Sequence, residues 1–194
     1  DLVPKLGYRE YWYPAVEARK VGKRSFRSLR FFGCRTPVHV KMLGEDVVLF
    51  PGNDGRIAAL WDRCPHRGAY LSRGRCEYAG TLSCPYHGYT FDQTGTCVAA
   101  LTEGPDSGLT GKLQARAYPT AVVQGVVFVW MGQTEPVPIE EDVPEEFFNP
   151  TCVIVPYANV WPMNWTLTVE NSGDSHNSYL HRFRIRRIFN LTAF

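Results

Sequence analysis

The sequence predicts an α+β protein in which an all-β domain, residues 36–135, is followed by the beginning of an α/β domain, residues 151–194. Three observations support this. Short apolar runs separated by turn-forming residues fill the first region and are typical of β-hairpins. A stretch rich in proline and acidic residues, 135–150, has no periodicity and indicates an extended linker or boundary. Residues 161–183 then show mixed helical character, broken at Gly173.

The first predicted strands form hairpins. Apolar and polar residues alternate over 38–42, which is the pattern of a half-buried strand. The next two strands are predicted at 47–50 and 56–62, because a cluster of turn-forming residues, Pro51–Gly55, lies between them. Successive hairpins of this kind favour an antiparallel sheet.

Two further strand predictions follow towards the end of the chain. Gln124-Gly125 is a hairpin signal between apolar runs at 118–123 and 126–131. A short β-rich run at 152–155 predicts the first strand of the second domain. We therefore expect the second domain to begin with a strand and to continue with the helical segment.

The composition is that of a globular protein and excludes several classes. The chain has 194 residues, of which 44% are hydrophobic, and no apolar run approaches the ~18 residues of a membrane-spanning helix. A net charge of +2 argues against a dedicated nucleic-acid binder. Although the sequence begins at Asp1 rather than Met, nothing in it resembles a secretory signal, and we expect a cytoplasmic protein that contacts neither membrane nor nucleic acid.

Four regions make up the predicted domain organisation. Residues 1–35 carry nine Lys or Arg against three acids and are expected to pack on the catalytic domain. The all-β domain follows, and the linker is predicted at 136–150, where most of the prolines and acids of the boundary stretch lie. The last region, 151–194, is too short to close a second core, so it looks like a domain whose remainder is missing.

Six cysteines raise the question of disulfides. A chain of this size without a secretory signal favours reduced thiols, some of them metal ligands. Four of the six are interpreted as ordinary thiols: Cys34, Cys76, Cys97 and Cys152.

The other two cysteines lie in matching loops. Residues 64–68 read Cys-Pro-His-Arg-Gly and residues 84–88 read Cys-Pro-Tyr-His-Gly. The candidate ligands are therefore Cys64, His66, Cys84 and His87. Each proline would stiffen its loop, and each glycine would permit a tight turn that directs backbone N–H groups at a bound cluster.

Three interpretations of these loops are open. The four residues could be unliganded, although two Cys/His pairs in matching loops rarely arise by accident. They could form a structural zinc site, but such sites usually pair Cys with Cys and His with His. Loops that each supply one thiolate and one imidazole favour a Rieske [2Fe–2S] cluster, whose neutral imidazoles raise the reduction potential above that of all-cysteine clusters.

A second candidate metal site lies in the segment 170–181, which contains Asp174, His176 and His181. The alternative is a polar helix face with surface histidines. Residues five apart lie ~140° around an ideal helix, so a shared metal would require an irregular turn there. Gly173 and its polar neighbours make such a turn reasonable.

These motifs resemble the Rieske non-haem iron oxygenases, specifically their terminal (α) subunits. The loops are similar to those of the oxygenases rather than of respiratory Rieske proteins, which add a bridging cysteine to each loop where this chain has Tyr86 in the second. The segment 164–181 resembles the iron-site helix of the family, and 6–15 also occurs in family order. The homotrimeric group that includes carbazole 1,9a-dioxygenase is the most similar, and the chain would cover about the first half of a member.

The resemblance implies roles for the second site. His176 and His181 would be two ligands of a 2-His-1-carboxylate site for mononuclear Fe(II), and Asn171 would lie beside the iron. Asp174 would bridge this site to the cluster histidine of a neighbouring subunit. The family usually has Asp-x-x-His, whereas this chain reads Asp174-Ser175-His176, which is one residue shorter. The third, carboxylate ligand would lie beyond Phe194.

The function implied is that of a terminal oxygenase, which uses O₂ and externally supplied electrons to hydroxylate an aromatic or heterocyclic small molecule. Both cis-dihydroxylation and monooxygenation are compatible with this reading. A ferredoxin, a reductase or both would deliver electrons that come ultimately from NAD(P)H, and the expected assembly is a homotrimer. The alternative is a stand-alone Rieske electron carrier, in which residues 150–194 would be an appendage.

Overall fold

The computed structural model describes residues 8–22, 36–156 and 161–173. The chain divides into two units, Asp1–Pro156 and Tyr157–Phe194. In the described part of the first unit the strands are β1 Trp12–Glu17, β2 Val38–Met42, β3 Glu45–Pro51, β4 Ile57–Trp61, β5 Thr81–Ser83, β6 Tyr89–Asp92, β7 Cys97–Ala100, β8 Ala117–Tyr118, β9 Thr120–Val123 and β10 Val126–Trp130. The α-helices are α1 Ile139–Asp142 in the first unit and α2 Trp165–Gly173 in the second. Short 3-10 helices occur at Ala18–Lys20, Asn53–Gly55, Leu71–Arg73 and Glu145–Phe147.

Three antiparallel sheets account for these strands. Their orders are β1-β10-β9, β2-β3-β4-β8 and β5-β6-β7. The predicted hairpin strands at 38–42, 47–50 and 56–62 are confirmed as β2, β3 and β4. None of the helices in the described ranges has the length and apolar character that crossing a bilayer requires.

Strand β3 is buried on both faces and joins two apolar cores. Side chains alternate between the faces of a strand, so Val47 and Leu49 point to one side and Val48 and Phe50 to the other. The first pair belongs to a core shared with β10, whereas the second pair belongs to the core that contains Cys64, Cys84 and the strands β5 to β7. The candidate cysteines are therefore held in an apolar core that β3 connects to the rest of the unit.

Pro119 divides a strand that the sequence predicts as continuous over 118–123. β8, before the proline, pairs with β4, whereas β9, after it, pairs with β10 in another sheet. Proline has no N–H group and cannot continue a hydrogen-bonded ladder. The residue thus marks the point where the chain changes sheets.

The predicted strand at 152–155 is wrong, because no strand forms there. Among the described residues, nothing pairs with this run, and Val153 is 85% exposed. A strand depends on a partner for its backbone hydrogen bonds. Apolar, β-branched composition alone did not establish that a partner is present.

The predicted extended conformation of the 135–150 stretch is also wrong in part, since it contains α1 and the 3-10 helix Glu145–Phe147. Val143 is buried with Phe128 of β10, and Ile139 packs against them. The carboxylate of Asp142 accepts the backbone N–H of Trp12 at 2.8 Å. Anchoring contacts of this kind are not visible in the local pattern.

Part of the basic N-terminal segment is built into the first unit. β1 pairs with β10, with an irregularity in register between Pro14 and Val16. The expectation that residues 1–35 pack on the catalytic domain, and the boundaries at 35, 135 and 150, stay predictions.

The buried core predicts a strong effect of truncation at Phe50. We expect Phe50→Ala to lower the free energy of unfolding by about 3–5 kcal/mol, because it leaves a cavity in the core that holds the candidate cysteines. Denaturant titration measures the loss. Val122→Ala, on a half-exposed position of β9, is the control, with an expected loss below about 1 kcal/mol. Equal losses in the two variants would show that this core is not packed as described.

Candidate metal centre

The first candidate loop is closed by two backbone hydrogen bonds. The N–H of Cys64 donates to the carbonyl of Ala69 at 2.8 Å, and the N–H of Gly68 donates to the carbonyl of Cys64 at 2.7 Å. Gly68 has φ +70°, a left-handed conformation that glycine adopts without strain. The chain therefore leaves and re-enters the core within six residues.

The second loop repeats this geometry. The N–H of Cys84 donates to the carbonyl of Tyr89 at 2.8 Å, and the N–H of Gly88 donates to the carbonyl of Cys84 at 3.1 Å. Gly88 has φ +67°. The two loops thus close around their cysteines in the same way, although His66 stands two residues after Cys64 and His87 stands three residues after Cys84.

The four predicted ligands come together at the ends of these loops. The thiols of Cys64 and Cys84 interact with each other, and both residues are buried, with 3% and 4% exposure. The rings of His66 and His87 lie 4.9 Å apart between centroids and are half-buried. The sulfur pair therefore faces the core, and the imidazole pair lies nearer the surface.

The interaction between the two thiols shifts their pKa values in opposite directions. It lowers the pKa of Cys84 and raises the pKa of Cys64, which burial raises further. Backbone N–H groups two and three residues after each cysteine also favour its thiolate: those of His66 and Arg67 for Cys64, and those of Tyr86 and His87 for Cys84. The thiolate is the form that binds metals.

This donor set fits a two-iron cluster. Such a centre requires two thiolates at one iron and two imidazoles at the other, with N–H groups directed at the sulfurs. Over the described ranges, no three His, Cys, Asp or Glu side chains are grouped as ligands of a single ion. Two thiols and two imidazoles are the donor types that a two-iron cluster of this kind requires.

Aromatic rings cover the two histidines. The Tyr86 ring lies 3.8 Å from the His87 ring at an interplanar angle of 30° and is 60% exposed. Tyr89 is buried, and its ring lies 4.7 Å edge-to-face from that of His66. Tyr86 thus lies on the solvent side of His87, and Tyr89 packs on His66 from the core.

A segment that the sequence analysis missed, residues 101–103, holds the second loop. The N–H of Leu101 donates to the carbonyl of Gly88 at 3.1 Å. The hydroxyl of Thr102 donates to the carbonyl of His87 at 2.7 Å. Nothing in the local pattern of this polar turn indicates these contacts, because the partners are more than ten residues away.

Asp62 holds the first loop in a comparable way and was also missed. Its buried carboxylate accepts the backbone N–H of Ser72 at 2.6 Å and lies 3.1 Å from Nδ1 of His39. An acid that directly follows an apolar strand, here 57–61, is a signal that could have been noticed, since a buried carboxylate requires partners. The loop is thereby anchored close to both of its ends.

A family model for the Rieske [2Fe–2S] domain matches residues 12–114. The chain belongs to this family. The β-rich architecture of the first unit agrees with the predicted all-β Rieske domain. A second family model, described as a homotrimeric ring hydroxylase, matches residues 130–189.

Similar proteins match this chain across both of these regions. The chain is 34% identical to the terminal oxygenase component of carbazole 1,9a-dioxygenase from Sphingomonas sp over 179 residues, which cover 92% of this chain and 44% of that protein. It is 37% identical to the phthalate 4,5-dioxygenase oxygenase subunit of Pseudomonas putida, over 89% of this chain and 37% of the subunit. The chain thus spans less than half the length of these relatives.

Solved structures of terminal oxygenases are also similar to this chain. The terminal oxygenase of carbazole 1,9a-dioxygenase from Nocardioides aromaticivorans superposes with a TM-score of 0.77 at 36% identity, covering 91% of this chain and 45% of that one. The oxygenase in a reduced complex with ferredoxin, also of carbazole 1,9a-dioxygenase, superposes with a TM-score of 0.73 at 31% identity, covering 91% and 43%. The predicted resemblance to the terminal oxygenases is therefore confirmed.

The second predicted site is described only at one residue. Asn171 is exposed on α2, in the second unit. Asp174, His176 and His181 lie outside the described residues. The mononuclear iron site stays a prediction.

The paired loops of the Rieske domain allow a matched glycine test. Both Gly68→Ala and Gly88→Ala place a side chain at positive φ, which costs roughly 1–2 kcal/mol. A Cβ at Gly88 would also lie 2.9 Å from the Cβ of Leu101, whereas a Cβ at Gly68 meets nothing within 4 Å. We expect a lower Tm for the Gly88 variant in thermal unfolding, and equal Tm values would contradict the described contact with the 101–103 segment.

Proposed function

We propose that the chain is part of the terminal oxygenase component of a multicomponent Rieske oxygenase. In this proposal the full-length protein uses O₂ and external electrons to hydroxylate an aromatic or heterocyclic small molecule. The observation that carries the proposal is the pairing of two buried sulfurs with two half-buried imidazoles in loops of identical closure. The similarity of nearly the whole chain to oxygenase components supports it.

The proposed cluster ligands are Cys64 and Cys84 for one iron and His66 and His87 for the other. When bound, the cluster supplies one-electron transfer at a potential above that of all-cysteine clusters. The polypeptide contributes the rest: backbone N–H groups directed at the sulfurs, an apolar core behind the cysteines, and a surface position for the histidines. The half-buried imidazoles make the outer side of the site the side from which electrons can be exchanged.

The proposed catalytic site lies in the region matched by the ring-hydroxylase model. His176 and His181 are proposed as ligands of mononuclear Fe(II), with Asn171 beside it and Asp174 as the link to a cluster histidine. A site of this type supplies open coordination positions on one side of the iron. The proposal places the third, carboxylate ligand after Phe194, and the chain spans 44% of the length of one carbazole 1,9a-dioxygenase relative.

The proposed partners follow from the related proteins. One of the similar structures is a complex of an oxygenase with ferredoxin, which supports a ferredoxin or reductase as electron donor. The ring-hydroxylase model supports a homotrimer. The cytoplasm is the proposed compartment, since NAD(P)H is the proposed source of the electrons.

Substitution of the cluster ligands tests the first site. Cys84→Ser should largely prevent cluster assembly, because a serine oxygen replaces the buried sulfur donor. His66→Cys should lower the reduction potential, because a thiolate adds negative charge where a neutral imidazole was. Visible and EPR spectra of the holoprotein measure cluster assembly, and a redox titration followed by EPR measures the potential, with Cys97→Ser, a cysteine outside the loops, as the control. A wild-type spectrum in the Cys84 variant would refute the ligand assignment.

Metal analysis of the full-length polypeptide tests the second site and the function. We expect about three iron atoms per chain, of which about two belong to the cluster. His176→Ala should remove the mononuclear iron and abolish substrate oxidation while the cluster spectrum is kept. A cluster with no further iron in the wild type would indicate a stand-alone electron carrier, and unchanged iron and oxidation in the variant would refute the role of His176.

A further inference from the structure

Glu103, the last residue of the 101–103 segment, holds the tyrosine that packs on His66. The hydroxyl of Tyr89 donates to one carboxylate oxygen of Glu103, and the hydroxyl of Ser107 donates to the other at 2.6 Å. Both oxygens of this exposed carboxylate are therefore held in place. The neighbouring contacts of Leu101 and Thr102 fix the backbone of the same segment against the second loop.

The ring of Tyr89 connects this carboxylate to both imidazoles. It lies 4.7 Å from the His66 ring and 6.3 Å from the His87 ring, edge-to-face in each case. Tyr89 is 1% exposed, so the ring has little freedom to move. The hydrogen bond from its hydroxyl to Glu103 restricts rotation of the ring further. It also holds the carboxylate close enough to His66 and His87 to interact with them electrostatically.

The carboxylate is charged and the tyrosine is neutral under ordinary conditions. The hydrogen bonds from Ser107 and Tyr89, with the two imidazoles contributing less, lower the pKa of Glu103. The bond to Glu103 is also the main cause that raises the pKa of Tyr89 to about 12. The pair therefore consists of a phenol donor and an anionic acceptor.

We propose that Glu103 is a positioning residue that acts through Tyr89 to lower the reduction potential of the cluster. It fixes the tyrosine ring against His66 and places a negative charge near the imidazole pair. The inference rests on the proposed assignment of His66 and His87 as cluster ligands. Reduction adds negative charge to the cluster, and a nearby fixed anion disfavours this step.

The test is the reduction potential of the cluster in the full-length holoprotein. Glu103→Gln keeps the length of the side chain and a hydrogen-bond acceptor but removes the charge. We expect reduction to become easier by roughly threefold in its equilibrium constant, which corresponds to about +30 mV for a one-electron couple. Asp106→Asn is the matched control, since it removes an exposed carboxylate three residues further along and should leave the potential unchanged.

A double-mutant cycle with Tyr89→Phe tests whether Glu103 acts through the tyrosine. Tyr89→Phe keeps the aromatic ring but removes the hydroxyl bond, and we expect a smaller shift in the same direction. In the Tyr89→Phe background, Glu103→Gln should shift the potential by less than it does alone, because coupled residues are not additive. Iron content and Tm of each variant show that cluster and fold are intact.

The possible outcomes test the role of Glu103 separately from the proposed function. A coupled positive shift in the Glu103 variant, absent in the Asp106 control, supports the inference. An unchanged potential, a shift equal to that of the control, or additive shifts in the cycle would overturn it while leaving the cluster assignment standing. A wild-type protein without a [2Fe–2S] spectrum would instead overturn the proposed function, and the inference with it.

Discussion

The first unit depends on the burial of two cysteines, one from each of two separate loops, in one apolar core. Cys64 and Cys84 are twenty positions apart, and each loop directs its cysteine into the same apolar core. Burial of two thiols is tolerated because each sulfur receives backbone N–H groups from its own loop. The same closure by two backbone hydrogen bonds in both loops brings the histidines together on the outer side.

The site has a buried side, where the two sulfurs lie, and a more exposed side, where the two imidazoles lie. The sulfurs lie among apolar side chains that extend through β3 to the second core. The imidazoles lie towards solvent, and the exposed ring of Tyr86 packs on that of His87. The contacts that hold this arrangement come from residues outside the two motifs, namely Asp62 near the first loop and the 101–103 segment at the second. The arrangement of the four candidate ligands thus depends on neighbours that carry no metal-binding signature.

Strands that are signalled by patterns within a few residues were predicted correctly. The strands β2, β3 and β4 follow from alternation and from a turn cluster, and both signals act within a few residues. Predictions failed where the decisive partner was distant or absent from the pattern. The run at 152–155 has the composition of a strand but no described partner, and the strand predicted at 118–123 changes sheets at Pro119. The acidic stretch around α1 was expected to be extended, although Val143 and Asp142 anchor it to the β-sheet unit.

By itself the sequence determined the chemistry of the Rieske centre. The types of the four candidate ligands, their spacing and the glycines that close the loops are all properties of short segments, and short segments constrain donor atoms directly. Only the tertiary structure decided how those donors are surrounded. The burial of Cys64 and Cys84 in one core, the packing of Tyr89 on His66 and the place of Glu103 beside them result from chain segments that meet across the core. Contacts of this kind depend on which distant residues pack together, and no local pattern specifies that.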